Sequence, residues 1–353
     1  MTNAQITAAL DAGIITEAQA KALRADNDSR RKEDGATIGN EENLRFIRGF
    51  SDVFIAMGLC LAIFGLSALA SLMGGGMLYL AAAALMWVIA EYFGRKKRTH
   101  LPTLISALAF LGFIHTGAAI YLAKFGFNAP ILSHLITLGA MVAFYLRIGL
   151  PFCIALIALS ALFVILSLTR QFLPEFSKSH LGIIWLLSGL LMFGLALFYD
   201  MKDQHRTSRF ADNAFWLHLS AAPLIIHGLA LETITHNMTR LFGIIPVIKF
   251  EPGHAIIILI FIGILSLIGL AINRRALIVS ALFYALIAVG SLLGAAGLSF
   301  GNMVAITLLI IGAFIVALGT VWHPLRNQFI RFLPKWIIFP PAFIADYDPR
   351  HIP

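Results

Sequence analysis

The chain has 353 residues, 59% of them hydrophobic and only 12% charged, whereas a soluble domain carries about 25% charged residues. A mean hydropathy of +0.87 exceeds what one globular core can hide, so much of the chain must use lipid as its solvent. The formal charge of +8 is placed by topology, as shown below, which argues against a nucleic-acid partner, and two cysteines in apolar segments exclude a disulfide framework.

The first 43 residues read as a cytosolic helix pair with a flexible linker. Residues 3–11 and 16–25 are expected to be short helices separated by a turn at Ala12-Gly13, with Thr16 and Gln19 forming a capping box. Residues 26–43 are polar and aperiodic, the signature of a linker. These polar residues contain no apolar signal-peptide core, so the first span is expected to act as an uncleaved insertion signal. Residues 44–52 lead into it as an amphipathic entry, with Arg48 and Asp52 paired at i,i+4.

The transmembrane bundle covers 44–321. Backbone polar groups in lipid need internal partners, so spans must be helices or a closed barrel, and these segments are continuously apolar rather than alternating. Ten spans of about 20 apolar residues are predicted: 53–72, 77–93, 103–123, 131–146, 152–169, 181–198, 215–231, 255–272, 276–293 and 302–321. The fold class is therefore all-α, a polytopic helical bundle. With both termini in the cytoplasm, only Lys124, Arg170, Lys178, Arg240 and Lys249 of the 26 Lys and Arg face outward. The other 21 lie on the cytoplasmic side, as the positive-inside rule requires. The tail, 322–353, holds Pro324, Pro334, Pro340 and Pro341, which argue against one long helix. It is expected to lie cytoplasmic or at the interface, its aromatic side chains interleaved with Arg326, Arg331 and Lys335.

Lys, Arg, Asp and Glu are absent from the span centres, so the chemical signal rests on histidine and on span ends. In span 7, FWLHLSAAPLIIHGLALE, Trp216, Ser220, Pro223 and His227 share one helical face. Pro223 frees the carbonyl of Leu219 and should kink the helix. A free carbonyl beside a hydroxyl and an imidazole makes a candidate polar pocket, though plain packing fits the same residues. His115 in span 3 and His134 at the start of span 4 join the candidate set. His180, Glu232, His236 and His254 lie in or beside outer loops and are weak metal candidates, because no HxH or HxxxH spacing connects them. No metal or other cofactor is assigned. Glu91 sits four residues before Arg95 and reads as a local ion pair. Asp200, Asp203, His205 and Asp212, interleaved with Lys202, Arg206 and Arg209, read as a solvated mixed-charge loop. No nucleotide-binding, metalloprotease or serine-hydrolase motif occurs, so enzymatic activity is not expected, although an intramembrane enzyme stays open.

The stretches AALDAGIITEAQAKAL and RFADNAFWLHLSAAPLIIHGL resemble uncharacterised bacterial inner-membrane proteins classed as a domain of unknown function, in which a cytosolic helix pair precedes a long run of spans. The resemblance implies a multi-pass protein of the bacterial inner membrane, in contact with the bilayer, and brings no activity or site residue with it. Function is expected to lean towards transport or binding of a small solute or lipid, because kinked polar helices often build transport sites. The alternative is a non-catalytic scaffold that recruits a cytosolic protein through residues 1–43.

Overall fold

The computed structural model describes residues 6, 10, 12–23, 25, 49–127, 129–203, 206, 208–233, 239–241, 245–247 and 251–332. Residues 1–44 together with 205–207 form one compact unit. In it Gly13 turns the chain with φ 68°, a conformation that glycine adopts without penalty. The Thr16 amide then donates to Gln19 Oε1 at 2.9 Å and the Gln19 amide donates to Thr16 Oγ1 at 3.3 Å. This is the reciprocal capping box that the sequence spells, and a helix runs on over 17–23. Arg48, the expected partner of Asp52, lies outside the described residues, as do the whole linker 26–43 and, Ile6 and Leu10 excepted, the first expected helix 3–11.

Among the described residues, the second unit holds ten helices long and apolar enough to cross a membrane. They are α1 (Phe50–Leu72), α2 (Gly76–Ala90), α3 (His100–Lys124), α4 (Ala129–Ile148) and α5 (Phe152–Phe172). After a six-residue helix, Pro174–Ser179, come α6 (Leu181–Lys202), α7 (Arg209–Thr233), α8 (Pro252–Ala271), α9 (Ala276–Ala295) and α10 (Phe300–Phe332). A seven-residue π-helical turn, Glu91–Lys97, extends α2. Between α7 and α8, where the sequence shows only a loop, β1 (Thr239–Leu241) and β2 (Ile245–Val247) pair antiparallel, with Thr239 opposite Val247.

The bundle is organised around α7. Within its apolar window 72% of residues are buried, against 11% for α1 and 6% for α10. It packs on α5, α6, α8 and α9. A helix buried on nearly all sides is shielded from lipid by its neighbours and can carry polar groups that an outer helix cannot. Its seam with α6 is unusually close. A Cβ on Gly189 would sit 2.7 Å from the Ile225 amide nitrogen, and one on Gly228 would sit 2.7 Å from the Gly182 carbonyl oxygen. The pairing of α2 with α3 uses the same device, since a Cβ on Gly117 would lie 3.0 Å from the Gly76 carbonyl oxygen. Without a hydrophobic drive between helices in lipid, such backbone approach supplies the dispersion contacts.

The helix α10 continues through Pro324 to Phe332, longer than the prolines of the tail predict. Proline there removes one backbone bond, and a buried side chain fastens the helix on either side of it. Trp322 is 1% exposed and its Nε1 donates to Asn273 Oδ1 at 2.9 Å, while Arg326 is 1% exposed. Asn273 occupies the α8–α9 turn with φ 54°, a left-handed conformation that Asn tolerates better than most residues. Trp322→Phe should lower unfolding free energy by about 1 kcal/mol, the net value of one hydrogen bond. Denaturant titration in detergent measures this, and an unchanged midpoint would assign the anchoring to ring packing alone. Residues 333–353 of the predicted tail lie outside the described residues.

Candidate functional site

The site is built from α7 outward. Ser208 opens the helix: its Oγ accepts from the Phe210 amide at 3.2 Å, and its own amide and hydroxyl donate to Asp203 at 2.8 and 2.7 Å. Over 211–231 every position of α7 is buried except Asp212, Trp216, Leu219, Ser220, Pro223 and Leu229. Asp212, Trp216, Ser220 and Pro223 succeed one another at about one helical turn, so they form a single accessible stripe. Three of the four residues that the sequence places on one face of span 7 are thus among the incompletely buried ones. Trp216 packs edge-on against Phe152 of α5 with ring centroids 4.6 Å apart.

His227, the fourth, is buried at the end of that face farthest from the basic turns. Its ring lies 4.7 Å from Trp185 of α6, and its Nδ1 is 2.9 Å from the Tyr284 hydroxyl of α9. Its Nε2 has no hydrogen-bond partner among the described residues. His115 and His134 come together elsewhere in the same half of the bundle, with ring centroids 4.4 Å apart. His134 Nδ1 is 2.9 Å from the Ser167 hydroxyl, and His115 Nδ1 is 3.5 Å from that of Thr137. Phe163 stacks on His134 at 5.6 Å and meets Trp185 edge-on at 6.4 Å. The row His115–His134–Phe163–Trp185–His227–Tyr284 therefore links six helices, α3 to α7 and α9. Phe163 and Trp185 interrupt it for proton transfer, so it is a packing layer with two imidazole stations.

The outer-loop set does not assemble in the same way. His180 Nδ1 lies 3.3 Å from the carbonyl oxygen of Phe176, and its ring stacks on that side chain at 4.7 Å. His236 and the side chain of Glu232 lie outside the described residues. Among the described residues no three His, Cys, Asp or Glu side chains converge on one point, His254 included.

At the opposite end of α7 the structure holds a group that the sequence reading placed in a solvated loop. α6 runs as far as Lys202, which carries Asp200 into the bundle, 5% exposed. Its carboxylate Oδ2 is 2.9 Å from His218 Nε2 on α7. Arg274, from the α8–α9 turn, donates through Nε to Oδ2 at 3.2 Å and through Nη2 to Oδ1. His218 and Arg274 are 0% and 2% exposed, and Phe193 meets the His218 ring edge-on at 5.3 Å. One carboxylate, one guanidinium and one imidazole thus tie together α6, α7 and the α8–α9 turn. Buried charge is tolerated only when paired and hydrogen-bonded, and the bidentate arginine supplies both. The sequence carried one signal for this cluster: Asp200 ends the apolar run LALFY, and His218 lies inside a span. The arrangement offers charge neutralisation and one protonatable ring, but no nucleophile aligned with a base. No family model, curated protein or solved structure matches the chain.

Proposed function

We propose that this integral membrane protein moves a small solute or lipid across the bilayer, with α7 as the working helix. The observation that carries this reading is the stripe Asp212–Trp216–Ser220–Pro223, an accessible line on a helix largely enclosed by protein. It begins at the end of the bundle holding the basic turns and climbs towards His227. Polar and ionisable groups placed inside a span are costly, and α7 keeps two histidines there. The inner bacterial membrane with both termini cytoplasmic is part of the proposal, supported by the asymmetric placement of Lys and Arg and by the family resemblance.

Aqueous thiol labelling tests the stripe without knowledge of the substrate. In a background with Cys60 and Cys153 replaced by Ala, Ser220→Cys should react with a charged methanethiosulfonate reagent and Ile226→Cys, buried on the other side of α7, should not. Equal inertness of the two thiols would remove the basis for a solute path.

A second reading has its own support. Residues 1–44, with 205–207, form one compact unit with a well-capped helix, and Ile14 beside that helix is 76% exposed. Such a unit suits recruitment of a cytosolic protein. Deleting residues 1–43 would abolish function under this reading while His227→Ala left it intact; the reverse pattern favours transport.

A further inference from the structure

A cavity of about 1200 Å³ opens at the basic end of the bundle. Its walls are the π-helical turn after α2, the start of α3, the α4–α5 turn and the start of α7. Two glycines let these walls close. A Cβ on Gly94 would lie 2.9 Å from both Ile148 Cγ2 and Thr103 Cγ2. Gly149 turns the chain with φ 71°, and a Cβ there would lie 3.3 Å from the Arg209 guanidinium. The π-helical turn ends on Arg98 with φ 55° and ψ 38°, a left-handed backbone unusual for arginine. Single π-turns and strained non-glycine residues gather at binding sites, where the surrounding structure must hold them in place.

The charge of the lining is unbalanced. Glu91 accepts from Arg95 at 2.7 Å and, in a two-pronged pair, from Arg147 at 2.8 and 3.2 Å. That carboxylate is committed to two arginines at once. Lys96, Arg98 and Arg209 complete the basic lining, and Asp212 is the only other carboxylate in it. Five Lys and Arg side chains therefore face two carboxylates, an excess of three positive charges in one concave space. No ion pair joins Arg98 or Arg209 to a carboxylate among the described residues. A concave site of one sign concentrates counter-ions, and arginine forks match the geometry of phosphate oxygens. Besides Thr99, His100 and Thr103, the wall carries an apolar side with Trp87, Val88 and Ile148, which suits the hydrocarbon end of an ester.

We propose that this cavity binds a phosphate-bearing ligand through Arg98 and Arg209, the phosphate being either a lipid headgroup or a free anion. Basic pockets between spans are a recognised way to hold anionic headgroups. The inference rests on the cavity alone and does not require that the protein transport anything.

The test uses full-length protein in phosphatidylcholine nanodiscs. One arm titrates inorganic pyrophosphate by calorimetry. The other adds phosphatidylglycerol and counts retained molecules by native mass spectrometry. Arg98→Gln/Arg209→Gln is compared with wild type and with Arg170→Gln, which removes a charge at the far end of α5. Arg209→Gln alone serves if the double variant does not fold. Saturable binding in one arm is expected, weakened about tenfold or more by the cavity substitutions and unchanged by Arg170→Gln. Retention of phosphatidylglycerol alone identifies a lipid headgroup, and pyrophosphate binding in neutral discs identifies a free phosphate. Binding in neither arm, or equal weakening by Arg170→Gln, overturns the proposal. Flux is not measured, so its outcome is separate from that of the α7 stripe.

Discussion

Asp200→Ala should destabilise the protein by about 3–5 kcal/mol, the cost of removing one partner from a buried ion pair. The magnitude follows from what is left behind rather than from what is lost. Arg274 is 2% exposed and takes its charge compensation from Asp200 through two donors. Without the carboxylate, a guanidinium would stay buried against the start of α7, with the Ala211 carbonyl 3.5 Å away. The His218 ring loses its acceptor in the same step. The unfolding midpoint in a denaturant series should fall steeply. The companion experiment is Asp200→Asn/Arg274→Met, which removes both charges and keeps the volume filled. It should recover most of the loss, because replacing a buried pair with apolar or neutral groups is often close to neutral. If the double variant is no more stable than Asp200→Ala, the charges are not what the cluster contributes, and the shape of the α6–α7–α9 junction is.

This cluster also marks the limit of what the sequence shows. Spans are legible because lipid demands about 20 apolar residues each, and every predicted span lies within a helix, apart from Ile272 at the end of span 8. The capping box at Thr16 and the ion pair of Glu91 with Arg95 are legible because their partners are three and four residues apart. Asp200 finds His218 and Arg274 across 18 and 74 residues. In one dimension it sits in a run of mixed charge and looks solvated. Only the length of α6, which carries Asp200 past the apolar stretch and turns it inward, decides otherwise. The helical face of Trp216, Ser220 and Pro223 was readable from a 3.6-residue period. The partners of His227 on α6 and α9 were not, because no local pattern specifies which helix lies opposite. The same reason applies to Pro324: proline predicts a break in isolation, whereas Trp322 and Arg326 are anchored by contacts that sequence spacing does not reveal.

Gly228→Ala is expected to destabilise more than any other Gly-to-Ala change in the described helices. The added methyl would lie 2.7 Å from the Gly182 carbonyl oxygen and 2.7 Å from Leu186 Cα, with the Leu186 amide also in its path. All of these are backbone atoms, so no side-chain rotation relieves the overlap and α6 must move away from α7. Overpacking of this kind costs about 1–3 kcal/mol and more where the backbone is rigid. Gly263→Ala is the control. It lies on an exposed position of α8 with nothing within 4 Å of the added methyl, so it should be neutral or stabilise by about 0.5–1 kcal/mol through helix propensity. Apparent melting temperatures in one detergent give the comparison, and equal values would mean that α6 and α7 are not held by this seam. The position also bears on how the bundle works. Gly228 adjoins His227, so moving α6 outward draws Trp185 away from the imidazole that it covers. Gly228 and His218 are ten residues apart, about 15 Å along the helix, beyond the range at which substitutions normally couple. Gly228→Ala and Asp200→Ala should therefore add in free energy if α7 accommodates each change locally. A combined loss smaller than the sum would show that α6 and α7 separate as one unit, with the glycine seam and the ion cluster as its two fastenings.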